Sequence, residues 1–155
     1  MSIKIFQFLL IFFFFSSCSS YEEYKNNLNA YENPNLFHES MQKLTDVIVY
    51  DIFSPPVASR IYVYPTIAAY EVLINDYPKY KSFAGQLNGL NDVPKPDLNK
   101  EYSFPVASLH AFITIGKDLI FSEDKINEFQ KDIFKKLKEK GIPKDIYDRS
   151  IAYGD

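Results

Sequence analysis

The residues able to do chemistry are few and scattered. The chain holds two histidines, His38 and His110, and a single cysteine, Cys18. The histidines stand 72 residues apart, with no second imidazole one helical turn away to complete a metal pair. One cysteine allows neither an internal disulfide nor a cysteine metal site. His38 beside Glu39 therefore reads as a surface residue near a helix start, and His110 as a packed or hydrogen-bonded core histidine. Asp46 and Asp51 could supply a carboxylate pair for acid–base work, but five residues apart on a helix they diverge by about 140°. A solvated face or a helix-cap partner suits them better. Arg60 and Glu71 fall on one helix face, about 16 Å apart, too far to meet. Each is expected to pair with a different neighbour, Arg60 in an ion pair between helices rather than on a bound anion. No glycine spacing matches a phosphate-cradling loop. The expectation is that no catalytic, cofactor-binding or metal-binding residue lies in this chain.

Composition narrows the class. A length of 155 residues suits one domain, and 46% hydrophobic with 24% charged residues is ordinary for a globular protein. A net charge of -3 supplies no basic surface for nucleic acid. At the N-terminus, Lys4 precedes an apolar run from Ile5 to Phe15. That run is too short for a bilayer, which takes about 20 residues, and suits the apolar region of a signal peptide. Ser16-Ser17-Cys18 follows, and small residues before a lone cysteine resemble a bacterial lipoprotein signal. The resemblance implies cleavage before Cys18 and acylation there, which would hold the mature protein on a membrane of the bacterial cell envelope. Residues 1–17 are thus expected to be the signal, 18–34 a polar tether and 35–155 a helical domain.

The positions that could matter must be held by helices, because no period-two strand pattern occurs. The fold class is all-α, a partial bundle of about five helices. Asn35 is placed to cap the first, with Phe37, Met41, Leu44, Ile48 and Ile52 as its stripe. Ser54-Pro55-Pro56 turns the chain into a second helix running to Leu73, with a kink or short break expected near Tyr64 because Pro65 removes a backbone bond. Residues 75–103 are irregular, with a short turn expected around Phe83 and Leu87. Ser103 opens a third helix reaching Phe121. Ser122 opens a fourth, acidic at Glu123 and Asp124 and basic from Lys135 to Lys140, as the helix dipole favours. Gly141 is placed to end it in a Schellman turn, with Leu137 against Ile142. A fifth segment carries Ile146, Ile151 and Tyr153.

Several strings are recognisable. Asp51-Ile52-Phe53-Ser54-Pro55-Pro56-Val57-Ala58-Ser59-Arg60-Ile61-Tyr62, then Ile67-Ala68-Ala69-Tyr70-Glu71, resembles the N-terminal helical region of bacterial vanadium-dependent haloperoxidase-like proteins, within the type 2 phosphatidic acid phosphatase superfamily. Gly85-Gln86-Leu87-Asn88-Gly89-Leu90, Gly116-Lys117-Asp118-Leu119-Ile120-Phe121-Ser122 and Ser150-Ile151-Ala152-Tyr153-Gly154 agree. The similarity runs from Leu44 to the end and is specific to a lipoprotein branch. It implies a helical bundle that binds vanadate or processes phosphate esters through three later motifs: a lysine followed seven residues on by Arg-Pro, a Pro-Ser-Gly-His segment, and Ser-Arg followed by a histidine. None of these is in the chain. Its one Ser-Arg pair is Ser59-Arg60, and Thr66 stands where the histidine would be. The resemblance therefore implies a chain truncated before its active site. Its partners would be the membrane at Cys18 and the missing C-terminal helices, and vanadate would belong to the full-length protein. The alternative is a lipid-anchored, non-enzymatic helical module that binds a partner or glycan of the envelope.

Overall fold

A computed structural model describes residues 21–155. The described residues are all-helical: α1 (Leu28–Tyr31), α2 (Pro34–Tyr50), α3 (Pro55–Leu73), a 3-10 turn (Ile74–Asp76), α4 (Phe104–Asp118), α5 (Glu123–Lys138) and α6 (Lys144–Gly154). Cys18 and the expected signal lie outside the described residues.

The tether expected over residues 18–34 is corrected within that range. Residues 21–26 are helical, α1 follows, and Tyr24 and Tyr31 are buried with their rings 5.2 Å apart, edge to face. Two tyrosines seven residues apart fall on one helix face. They supply enough apolar area to dock a stretch whose other residues are polar. Asn33, not Asn35, caps α2. Its Oδ1 accepts the Asn35 N–H at 3.0 Å, and Pro34 takes the first helical position, where a missing N–H costs nothing.

The end of α2 is the second correction. Ile52 does not continue the buried stripe; it sits at φ 57 and is 87% exposed. The Phe53 N–H bonds the Ile48 carbonyl and the Ile52 N–H bonds the Val49 carbonyl, both at 3.2 Å. This is the double bond pattern of a Schellman turn. The left-handed position that glycine normally fills is occupied by a β-branched residue, at a cost of about 1–2 kcal/mol. Phe53, packed against the core cluster that contains Ile48, helps to hold it there. At Gly141, where that turn was expected, the φ is 89, but the closing bonds run from Lys140 to Leu137 and from Gly141 to Lys138. The Gly141 bond is one of the two that a Schellman turn requires; the other, from the Ile142 N–H to the Leu137 carbonyl, is not made.

Pro65 does not interrupt α3, which runs unbroken over its 19 residues. The ring is fully buried, and a Cβ added at Gly116 of α4 would lie 3.8 Å from its Cγ. Packing against α4 thus offsets the lost backbone bond. The centre of the bundle is α4, shorter than expected because it stops at Asp118, yet touching α2, α3, α5 and α6. Ten of its 15 residues are buried, so it is apolar all round, as a central helix must be. Against it α6 comes close enough that a Cβ on Gly154 would stand 2.4 Å from the Ala107 carbonyl oxygen; only glycine fits. Ser150 Oγ accepts the Ser103 N–H at 2.8 Å and so ties α6 to the start of α4.

Candidate functional site

Polar or cavity-lining side chains gather in several places among the described residues. The first is His110, buried on α4 where α5 and α6 meet it. Lys117 Nζ donates to Gln130 Oε1 at 3.0 Å, which turns the Gln130 amide nitrogen toward His110 Nδ1 at 3.4 Å. Nδ1 is then an acceptor, and the ring proton sits on Nε2, which donates to Asp155 Oδ1 at 2.7 Å. Phe134 packs edge-on against the imidazole at 5.5 Å. Both ring nitrogens are engaged, as the expectation of a hydrogen-bonded His110 required. The network is a pin joining three helices.

His110 faces a groove of about 660 Å³ bordered by Lys131, Lys135, Lys138 and Tyr147. Among the described residues no serine, threonine or cysteine lines it, so no aliphatic hydroxyl or thiol stands ready for the imidazole to activate. Burial, and secondarily the Asp148 charge, push the Tyr147 hydroxyl up, keeping it protonated at neutral pH. Lys138 lies over the Tyr147 ring at 4.3 Å.

The second place is an apolar cleft of about 360 Å³ between the start of α2, the second half of α3 and the start of α4. Leu36, Phe37, Ala69, Leu73 and Val106 line it, with exposed His38 among them. Two of its polar side chains are engaged, while the buried Tyr31 hydroxyl on its lining has no partner among the described residues. Tyr70 donates to the Lys81 carbonyl at 2.9 Å, and Ser108 donates to the Ala69 carbonyl at 2.8 Å. That Tyr31 hydroxyl is pushed up to about 12, chiefly by burial. A cleft of this kind offers shape and apolar surface, with the His38 imidazole at its exposed edge.

The third is a pair of carboxylates, each clamping a chain reversal. Glu71, buried on α3, accepts the Phe83 N–H and the Ser82 hydroxyl, both at 2.6 Å. The loop from Tyr77 onward is thereby drawn over the end of α3, with Phe83 against Tyr70 at 4.7 Å. The turn expected around Phe83 and Leu87 is present, closed by the Gln86 and Leu87 N–H groups on the Phe83 carbonyl. Asp51 accepts the Phe121 and Ser122 N–H groups at 2.9 and 3.1 Å and the Ser122 hydroxyl at 2.5 Å, at the entry to α5. Burial alone would raise this carboxyl. The Ser122 and Phe121 donors outweigh it and hold it below the usual carboxylate range. The cap-partner reading of Asp51 is therefore correct. Asp46, on a different side of α2, only accepts from Gln42 at 2.9 Å.

Arg60 departs from expectation. It is exposed and forms no ion pair among the described residues. The role of Glu71 had no local signal, because its donors lie eleven and twelve residues away in an irregular loop.

The oxyanion site that the resemblance implies would use converging cations and a histidine free to bond the vanadium or phosphorus. His38 lines the apolar cleft, while His110 faces the lysine groove with both nitrogens occupied. The described residues do not fit an oxyanion cofactor. They also hold no group of three metal-ligating side chains.

The fold does identify a class. No protein-family model matches the chain, and no curated protein matches it. Among solved structures it is similar to a bacterial vanadium-dependent iodoperoxidase, with a TM-score of 0.73 and 39% identity. The match takes in 78% of this chain and 29% of that one, so the chain spans under a third of its neighbour's length. Its helical fold is haloperoxidase-like.

Proposed function

We propose that these 155 residues are the N-terminal scaffold of a haloperoxidase- or phosphatidic acid phosphatase-like lipoprotein, whose oxyanion site lies on helices outside them. The observation that carries this reading is the 39% identity to the iodoperoxidase over a part of its length. The missing oxyanion motifs and the fully engaged His110 support it, because the chain then has no reaction of its own. The scaffold would hold up the catalytic helices and tether them to the bacterial envelope. Cys18 would carry the lipid, and vanadate or a phosphate ester would be handled by the rest of the protein.

The tether is tested by labelling cells with a radioactive fatty acid and fractionating them. Label and membrane association are expected for the native chain and lost in Cys18→Ala. A Cys18→Ala chain that stays on the membrane would sink the anchor. The enzymatic part is tested by reading the frame beyond codon 155. In-frame Pro-Ser-Gly-His supports it, and a stop followed by unrelated sequence favours a non-enzymatic envelope module.

A further inference from the structure

The geometry points to the outer face of α3, from Val57 to Ile67, as an interface covered by an apolar helix that presents a carboxylate to Arg60. We infer that this helix belongs to the part of the same polypeptide beyond residue 155, so the inference rests on the reading above.

At 100° per residue, Ile61, Pro65, Ala69 and Val72 form one side of α3, and all four are buried, Pro65 against Gly116 of α4. Val57, Arg60, Val63, Tyr64 and Ile67 form the other side, with Glu71 in line beyond them. Glu71 is buried under the 77–90 loop, but Val63 and Tyr64 are 49% and 48% exposed. A helix apolar on both sides is normally buried on both or spans a membrane. No helix among the described residues is long and apolar enough to span one. The uncovered half is therefore a contact surface.

Its chemistry selects the occupant. Arg60 stands among valine and tyrosine without an ion-pair partner among the described residues, and buried arginine and tyrosine are among the commonest anchors of protein interfaces. Covering the face would strand the guanidinium unless the occupant brings a carboxylate. A second copy cannot do so through this face, because the only acid on α3 is Glu71, already bonded to Ser82 and Phe83. Two copies would set Arg60 against Arg60. The neighbour's length supplies the alternative, since the matched part of this chain is 29% of that fold and the remainder must pack on something.

The experiment uses the protein encoded by the whole reading frame, with Cys18→Ala and one introduced cysteine at a time. Val63→Cys reports on the bare face. Lys100→Cys, at a side chain 58% exposed, is the open control. Each is treated with a charged maleimide and read by mass spectrometry at its own peptide. Burial should make Val63→Cys label at least about tenfold more slowly, since reaction then waits for local opening. Equal rates would overturn the interface and leave the longer-protein reading standing. Protection that grows with protein concentration would assign the face to a second copy and overturn the choice of occupant. A frame that closes at codon 155 would remove both this inference and the reading it rests on.

Discussion

Glu71 and Arg60 lie on the same side of α3 and meet opposite surroundings. Around Glu71 the face is closed: the carboxylate holds the loop through Ser82 and Phe83, and Phe83 covers Tyr70. Around Arg60 it is open, with Val57, Val63 and Tyr64 in solvent. The difference shows how a chain distributes the cost of a buried charge. A carboxylate was buried where a loop within the same polypeptide brings donors to it. The guanidinium stays hydrated where the described residues bring none. Composition does not separate the two halves, since both mix one charge with large apolar residues.

The comparison is broken most forcefully at the closed half. Glu71→Ala strands the Phe83 N–H and frees the loop, and should cost about 3 kcal/mol, since hydrogen bonds to an ionised acceptor are worth roughly twice neutral ones. Denaturant unfolding, with limited proteolysis of residues 77–100, measures it. A loss below about 0.5 kcal/mol, the scatter of ordinary surface changes, would mean that the loop is held by something else. A smaller effect of opposite sign is expected at the corner that leads into the open half. Ile52→Gly relieves the left-handed strain and should raise stability by about 1 kcal/mol after the added chain entropy of glycine is counted. A destabilised variant would show that the isoleucine side chain is buried against something in the assembled protein. The smallest effect belongs to the open half itself. In the 155-residue chain Arg60→Gln should shift stability by less than about 0.5 kcal/mol, as for any unpaired surface residue. A thermal melt that moves further would reveal a partner for the guanidinium within this chain and erase the contrast.

Much of the fold was legible because it is local. The apolar stripes of α2 and α5, the proline starts of α3 and α4, and the acidic and basic ends of α5 need only neighbours within a turn or two. The errors share one cause. Polar residues 21–32 read as a tether until Tyr24 and Tyr31 met a core built by later helices. Pro65 read as a kink or short break, yet the helix continues through it, with the ring packed beside Gly116. Gly141 read as a Schellman turn and makes half of one, while the complete turn formed at Ile52, where no glycine advertises it. Of the polar groups, the hydrogen-bonded His110 and the cap role of Asp51 were legible, while the loop-holding role of Glu71 was not, because its donors lie in an irregular segment.

By itself the sequence determined an all-helical chain, the corner at Ser54-Pro55-Pro56 and the absence of a metal or oxyanion motif, since helix periodicity, proline starts and motif spacing are properties of short stretches. Only the tertiary structure decided that α4 is the centre, that Gly154 must be glycine, that His110 is a pin, and that α3 is closed at Glu71 and open at Arg60. Those outcomes depend on which surfaces distant segments bring together, and burial is a property of the assembled neighbours rather than of the residue.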